Sequence, residues 1–308
     1  MSATDPGRQG VISVCIPTWN AAAWIEETLG RILDQEGPEL DVVVCDDASE
    51  DDTCALARAA GRGRVRVFAN DERLGLSGNW NRAIGHAEGE YLCLFGQDDA
   101  AYPGWAATLH GLLEAHPDAV MAFGRRDFDF VTEDARSTFE YFAEEYPGLI
   151  DGAYARLGLR IEPRAMVRES MRLGFLLNLV GEPSFVLVRR SHPAVRAGFD
   201  ERFRQLVDWK FYTRLFTSGP VVRTDEVVGA YRIHKAAASY ANRNDGTAYR
   251  EQIPFLELLE DRYRGLLGWP GRRRLRAPLR GVRRWQAEER RRAESGQATR
   301  PGASASRV

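Results

Sequence analysis

Strand and helix patterns alternate through the first 125 residues, and this alternation restricts the fold more than any other feature. Short apolar runs predict strands at 11–16 (VISVCI), 41–45 (DVVVC), 64–69 (RVRVFA) and 90–95 (EYLCLF). Amphipathic patterns predict helices at about 22–35, 50–60, 77–87 and 103–115. Near-continuous apolar strands are typical of a parallel sheet that is covered on both faces. We therefore expect an α/β, doubly wound sheet with helices on both faces.

The rest of the chain is less regular. Its apolar runs predict strands at 119–130, 183–190, 220–223 and 226–233. Helical patterns lie at about 163–178, 208–217 and 249–268, the last interrupted by Pro254. Residues 131–182 carry no motif that assigns them a function.

The composition is that of an ordinary globular protein, with 44% hydrophobic and 28% charged residues. The chain has no apolar run of about 18 residues, and its first residues, MSATDPGRQG, lack the pattern of a secretory signal. We therefore expect a cytoplasmic protein. Cysteines occur only at positions 15, 45, 54 and 93, without a CxxC pair, so we expect buried free thiols and neither disulfides nor a zinc site.

Polar residues follow each of the first four predicted strands. The strand ends read PTWN, DDAS, NDER and GQDD. In doubly wound sheets, ligands bind outside the carboxyl ends of the strands. These four ends therefore predict a polar ligand site along one edge of the sheet.

Asp98 and Asp99 are adjacent carboxylates directly after an apolar strand. Two ionised neighbours repel each other unless a positive charge lies close by. Such a pair suits Mg²⁺ or Mn²⁺, which keeps several waters and binds substrate phosphates. The alternatives are a solvated turn or an N-cap for the helix that starts near Pro103.

The DDAS segment has a structural and a functional interpretation. Ser49 and Asp52 have the spacing of a capping box. Asp46 and Asp47 have no part in it, and a carboxylate there, Asp47 above all, is suited to accept a hydrogen bond from a base or a ribose. Trp19, at the end of the first strand, is placed either to stack on a base or to pack in the core.

Two further candidates lie far along the chain. Asp208 is predicted at a helix N-cap, where a carboxylate is also able to remove a proton from an incoming hydroxyl. His234 ends the strand that contains YRIH, and it is a metal ligand, a phosphate partner or a core histidine.

Taken together, these segments resemble family 2 glycosyltransferases of the GT-A fold. VISVCIPTWN, VVVCDDASEDDT, GLSGNWNRAIGHAEGEYLCLFGQDD and VDWKFYTRL stand in the order and spacing of that family, over roughly residues 10–235. The resemblance implies a GT-A type, Rossmann-like mixed sheet. It also implies an inverting enzyme that moves a sugar from a nucleotide-diphosphate sugar, with UDP favoured, to an acceptor hydroxyl by direct displacement.

The resemblance also implies roles for the residues that bind the donor. Pro17, Thr18 and Trp19 would line the nucleotide pocket. Asp47 would bind the base, assisted by Arg73.

Further roles concern the diphosphate and the acceptor. Asp98 would lie near the ribose, and Asp99 would hold a divalent cation, Mg²⁺ or Mn²⁺, with Asp98 and His234 as further candidate ligands. Asp208 matches the general base of the family. Many members carry another Asp where this chain has Gly96, which bears on metal affinity more than on activity.

The expected organisation has five parts. A flexible N-terminus (1–9) precedes the nucleotide-sugar-binding half of the domain (10–125) and its acceptor-binding and catalytic half (126–240). A helical, Arg-rich extension (241–292) and a disordered tail (293–308) follow. The expected acceptor carries a hydroxyl and is a glycan, a lipid-linked glycan or a small molecule.

Two other functions fit a related fold. A sugar nucleotidyltransferase would carry a Gly-rich phosphate loop with basic residues after the first strand, which PTWNAAAW lacks. A GT-A-like binding or scaffold protein without turnover is the other alternative, and the retained Asp98, Asp99 and Asp208 argue against it.

The segment 271–292 is strongly basic. It holds ten Arg and two Glu, so the remainder of the chain carries a net charge of −10. The segment is either a solvated helix or an amphipathic helix that makes peripheral contact with the inner face of a membrane or holds a partner. We expect no nucleic-acid partner, because the acidic remainder would repel a phosphate backbone.

Overall fold

A computed structural model describes residues 7–173, 177–244 and 247–263. The strands in these ranges are β1 (Arg8–Thr18), β2 (Leu40–Asp46), β3 (Val65–Ala69), β4 (Gly89–Leu94), β5 (Ala100–Ala101), β6 (Met121–Phe130), β7 (Arg160–Ile161), β8 (Val186–Arg189) and β9 (Val221–Ile233). The helices are α1 (Ile25–Leu33), α2 (Thr53–Gly61), α3 (Gly75–Gly85), α4 (Trp105–Ala115), α5 (Glu133–Thr138), α6 (Glu140–Glu144), α7 (Tyr146–Leu157), α8 (Pro163–Arg172), α9 (Pro193–Arg196), α10 (Val207–Phe216), α11 (Ala238–Asn244), α12 (Thr247–Arg250) and α13 (Gln252–Arg262).

The strands form one mixed sheet with the order β3-β2-β1-β4-β8-β6-β9-β5, and β7 pairs with β9. β1 to β4 pair in parallel, whereas β8 runs antiparallel to both β4 and β6. The predicted doubly wound, mixed α/β sheet is confirmed. Because β1, β2 and β4 are neighbours and parallel, their carboxyl ends meet at one edge.

The two faces of the sheet bury two separate sets of side chains, as period-2 alternation requires. Ile12, Val14 and Ile16 of β1 belong to the core that contains the apolar faces of α1 and α4. Cys15 points to the other core, which contains residues of α3 and α10. All four cysteines are free, as predicted. Cys15, Cys45 and Cys93 are buried, and Cys54 is half-buried.

Several predicted boundaries shift. The two strands expected at 220–223 and 226–233 are one strand, β9, with a register irregularity between its pairs with Phe123 and Arg125. Pro254 does not interrupt the C-terminal helix. It lies in the first turn of α13, where its missing N–H has no intrahelical partner to lose. The break occurs instead at Glu251, between α12 and α13.

The described residues of the segment 131–182 fold mainly into helices α5 to α8. Buried residues of α7 and α8 pack in one core with Met121 and Phe123 of β6 and Val221 of β9. Within the described ranges, the structure contains no helix with the length and hydropathy of a membrane span. The predictions for the basic segment 271–292 and the tail 293–308 lie outside the described residues.

Candidate active site

One large cavity, of about 2250 Å³, opens at the carboxyl ends of the parallel strands. Its walls come from the β1, β2 and β4 ends, from α3, and from helices and loops of the second half of the chain. Every site residue predicted from the sequence lines this cavity: Pro17, Thr18, Trp19, Asp47, Arg73, Asp98, Asp99, Asp208 and His234. Residues from positions 17 to 234 therefore share one site.

Asp98 and His234 form a close pair in this cavity. Asp98 Oδ2 lies 2.7 Å from His234 Nε2, and both side chains are largely buried. Asp98 follows β4 and His234 follows β9. The short strand β5 pairs antiparallel with β9, through Ala100 and Ala230, and this pairing carries the Asp98 loop to the end of β9.

Asp99 is buried at the cavity wall and held by two hydrogen bonds. Its Oδ2 accepts the Ser184 hydroxyl and its Oδ1 accepts the Arg232 amide at 3.1 Å, and the residue is only 4% exposed. Burial, reinforced by the charge of Asp98, raises the pKa of Asp99 well above its usual value. Both oxygens of Asp99 thus join β4, β9 and the Ser184 turn. Its role as a metal ligand stays a prediction.

Gly96 explains why the first acidic residue of the usual motif is absent. A Cβ at this position would lie 2.6 Å from Asp99 Oδ2 and 3.3 Å from Ser184 Oγ. The Gly96 amide also donates to Ser184 Oγ at 2.8 Å. The buried Asp99–Ser184 pair therefore needs glycine here.

Asp98 and His234 provide one carboxylate and one imidazole for a divalent cation. The described ranges contain no group of three or more His, Cys, Asp or Glu side chains arranged for a metal. Two protein ligands nevertheless fit Mg²⁺ or Mn²⁺ in a nucleotide site, since such ions complete their octahedron with waters and substrate phosphates. The donor set is compatible with the predicted metal.

Asp208 lies in the first turn of α10, one residue beyond the start of the helix, and not at the predicted N-cap, which is Leu206. Its Oδ1 accepts the Trp209 amide at 2.7 Å, and its Oδ2 accepts Asn178 Nδ2 at 3.3 Å. Burial raises the pKa of Asp208 to about 7, and the nearby charge of Glu182 acts in the same direction. A carboxyl group with this pKa exchanges a proton readily near neutral pH.

Sequence and structure comparisons agree with this geometry. The family model described as "Glycosyl transferase family 2" matches residues 13–191. The chain belongs to glycosyl transferase family 2. A relative, protein MT1568 of Mycobacterium tuberculosis, is 35% identical over 211 residues, which cover 68% of this chain and 63% of that protein.

Solved structures show that this family 2 glycosyltransferase has the GT-A fold. S. aureus TarS in complex with UDP-GlcNAc matches with a TM-score of 0.64 at 17% identity, covering 88% of this chain and 72% of that one. The mannosyltransferase PcManGT from Pyrobaculum calidifontis, in complex with GDP-Man and Mn²⁺, matches with a TM-score of 0.56 at 18% identity, covering 97% and 79%.

An exposed aromatic platform lies at the β1 end of the family 2 cavity. Trp19 is 40% exposed, so the core-packing alternative is wrong. The Arg73 guanidinium carbon lies 3.5 Å from the centroid of the Trp19 ring. The Gln97 side-chain amide bonds the Trp19 backbone in both directions, which fixes the platform beside Asp98.

The carboxylates after β2 have structural partners that the sequence did not reveal. Asp46 accepts the Thr18 hydroxyl and both the amide and the hydroxyl of Ser49, so Ser49 does not form the predicted capping box. Helix α2 starts at Thr53, after an Asp52 without a side-chain capping bond.

Asp47 is also engaged in structure. It accepts the amides of Leu74 and Gly75 at 2.7 and 2.9 Å, and it accepts the side chain of Asn70. It therefore orders the loop that carries Arg73.

Sequence reasoning missed several residues of this glycosyltransferase site. Ser184 and Asn178 bond the acidic residues directly, and Arg126 forms a buried ion pair with Glu182 in the cavity wall, with Nε 2.5 Å from Oε2. None of these has a local signal, because each lies in the unpatterned segment or in an ordinary apolar run. The Arg232 side chain donates from Nε to Asp129 and from Nη2 to Glu27.

Proposed function

We propose that this family 2 glycosyltransferase moves a sugar from a nucleotide-diphosphate sugar, with a UDP-sugar as the favoured donor, to an acceptor hydroxyl with inversion at the anomeric carbon. The observation that carries the proposal is that Asp208 lines the same cavity as the Asp98–His234 pair. Direct displacement needs one base on the acceptor side and charge stabilisation on the leaving-group side. This cavity supplies both.

The nucleoside end of the donor is assigned to the β1 and β2 ends. The aromatic face of Trp19 suits a base, and the planar cation of Arg73 above it suits the phosphates of the donor. Pro17 and Thr18 form the wall beneath them. In this assignment, Asp47 acts chiefly by holding the Arg73 loop.

The diphosphate is assigned to Asp98 and His234. We place the divalent cation on these two residues and give Asp99 the role of holding their loop against β9. When bound, Mg²⁺ or Mn²⁺ would neutralise the negative charge that builds up on the departing diphosphate. UDP-GlcNAc in TarS and GDP-Man with Mn²⁺ in PcManGT support a nucleotide-sugar donor and a divalent ion.

The acceptor is assigned to the side of the cavity that contains Asp208. The ionised carboxylate would take the proton of the acceptor hydroxyl as its oxygen attacks the anomeric carbon. Asn178 Nδ2 and the Trp209 amide hold the carboxylate in place. Small-ligand pockets measure about 300–1,000 Å³, so a cavity of 2250 Å³ leaves room for a glycan, a lipid-linked glycan or a small-molecule acceptor beside the donor.

A ligand panel tests this function. Thermal unfolding is measured with UDP-, GDP- and dTDP-sugars, with and without Mn²⁺ or Mg²⁺, and hydrolysis of the stabilising donor is then followed by nucleotide release. We expect metal-dependent stabilisation by one nucleotide class and slow donor hydrolysis that Asp208→Asn abolishes. Binding without hydrolysis or transfer would identify a scaffold protein. Formation of a nucleotide sugar from a sugar 1-phosphate and a nucleoside triphosphate would identify a nucleotidyltransferase.

A further inference from the structure

A single buried carboxylate, that of Glu251, accepts three consecutive backbone amides. The Arg204 amide donates to Oε1 at 2.6 Å, and the Gln205 and Leu206 amides donate to Oε2 at 2.9 Å each. Glu251 is only 7% exposed. It lies between α12 and α13, about 45 residues away along the chain.

The three amides belong to the turn that leads into α10. The N-cap residue of this helix, Leu206, has no side chain able to cap, and the first amides of a helix lack intrahelical partners. The Glu251 carboxylate bonds the amide of the N-cap residue Leu206 and the two amides before it, and it lies at the positive end of the helix dipole. Asp208 follows two residues after the last bonded amide.

The same turn is held by a second residue of the C-terminal segment. Asn242 Nδ2 donates to the Arg204 carbonyl at 3.2 Å and to Gln205 Oε1 at 3.1 Å. Arg204, Gln205 and Asn242 also line the active-site cavity. The turn at residues 204–206 therefore forms part of the cavity wall and also leads into helix α10.

Ring packing secures the helix itself. Phe255 of α13 contacts Trp209, the residue after Asp208, with ring centroids 5.0 Å apart. Contacts from α11, from Glu251 and from α13 thus converge on residues 204–209. These contacts come from a part of the chain that lies beyond the family match at 13–191.

We infer that Glu251 is a positioning residue for Asp208, and that residues 238–244 and 247–263 act as a built-in support of the general base. The inference rests on the proposed function of Asp208. Three amide donors converge on the Glu251 carboxylate. Both of its oxygens therefore accept hydrogen bonds, and its negative charge strengthens them. Loss of this contact would free the first turn of α10 and let Asp208 move relative to the acceptor hydroxyl, while the nucleotide side of the cavity stays intact.

The test compares Glu251→Gln and Glu251→Ala with wild type in the full chain. Glu251→Gln keeps one carbonyl oxygen, and Glu162→Gln, at the exposed N-cap residue of α8, is the matched control. The probe is UDP-glucose, UDP-N-acetylglucosamine or GDP-mannose, whichever stabilises the protein most. Hydrolysis of the donor yields kcat and KM, calorimetry yields the Kd of UDP, and hydrogen exchange reports on the amides of 204–206.

We expect kcat to fall about tenfold in Glu251→Gln and up to about a hundredfold in Glu251→Ala, since small errors in catalytic geometry cost this much. KM and the Kd of UDP should stay at the wild-type values, and the three amides should exchange faster. Glu162→Gln should match wild type throughout.

Two results would overturn the inference alone. Faster amide exchange with unchanged kcat would show that the turn does not position Asp208. A loss of kcat equal to the loss of folded protein would show a purely structural role, and Glu251→Gln serves for this measurement if Glu251→Ala does not fold. A wild-type chain that hydrolyses none of the donors would overturn the proposed function, and the inference with it.

Discussion

Asp98 and His234 are 136 residues apart in the sequence, yet His234 Nε2 lies 2.7 Å from Asp98 Oδ2. The pairing of β5 with β9 produces this contact, because it places the loop after β4 against the residue that follows β9. The neighbouring Asp99 is sealed under Ser184 and the Arg232 amide. Asp98 and Asp99 thus have different environments, and we expect substitutions at the two positions to have different effects.

Removing either member of the Asp98–His234 pair should abolish the metal dependence of nucleotide binding. We expect Asp98→Asn and His234→Ala to weaken the Mn²⁺-dependent binding of UDP by more than about tenfold, since even outer-shell partners of a metal contribute that much. Calorimetry with and without Mn²⁺ measures the effect. Asp118→Asn, at an exposed ion pair with Arg160, is the control. An unchanged Mn²⁺ response in both variants would remove this pair from the metal site.

Asp99→Asn, in contrast to Asp98→Asn, should leave the metal dependence of nucleotide binding intact. The amide keeps the shape of the side chain, and its oxygen still accepts the Arg232 amide. Asp99 is buried, and a neutral side chain costs less to bury than a charged one. We expect the Mn²⁺-dependent shift in melting temperature to persist in Asp99→Asn. Its loss there, together with its retention in Asp98→Asn, would return the principal ligand role to Asp99.

Turnover should rise with pH through about 7. The base form of Asp208 is the ionised form, and burial raises its pKa to about 7. Below that value the ionised fraction falls about tenfold per pH unit, and kcat for donor hydrolysis should fall with it. The Kd of UDP, measured over the same range, separates this effect from a loss of nucleotide binding. A flat kcat between pH 5 and 8 would contradict the assignment.

Asp208 should also impose a pH-dependent cost on stability. Its pKa rises from the usual 3.8 to about 7 on folding, so between these values the folded state binds more protons than the unfolded state. Stability due to this group therefore falls as pH rises from 4 to 7 and is constant above. Asparagine has no charge to bury.

The melting temperature of Asp208→Asn relative to wild type should accordingly increase from pH 5 to pH 8, by several degrees. Scanning calorimetry at each pH measures this difference. A difference that does not depend on pH would show that the carboxyl group does not titrate abnormally in the folded protein.

The Trp19–Arg73 platform should contribute affinity for the nucleoside. Trp19→Ala and Arg73→Ala should each weaken UDP binding by about tenfold, since base–aromatic stacking contributes about 1–3 kcal/mol. Quenching of tryptophan fluorescence by UDP, weaker in Trp19→Ala than in wild type, gives a second measurement. Arg168→Ala, at an exposed arginine of α8, is the control. Wild-type affinity in both variants would place the base elsewhere in the cavity.

Local patterns in the sequence were enough to predict the parallel half of the sheet and the edge where the site lies. Burial of a strand on both faces requires a continuous apolar run, and the polar residues after β1, β2 and β4 mark where each run ends. The pattern also located the helix that carries Asp208, because its apolar face is continuous in the sequence. These features depend on residues that are close in the sequence, within about the length of one helix or strand.

Only the tertiary structure decided which carboxylate faces open space and which is held. Asp98 and Asp99 look equivalent in the sequence, but the backbone direction after β4 and the glycine at position 96 send one toward His234 and the other under Ser184. The carboxylate that holds the turn before α10 lies about 45 residues downstream, at Glu251. The orientation of a side chain at a strand end or helix start depends on contacts with distant segments, and no local pattern records those contacts.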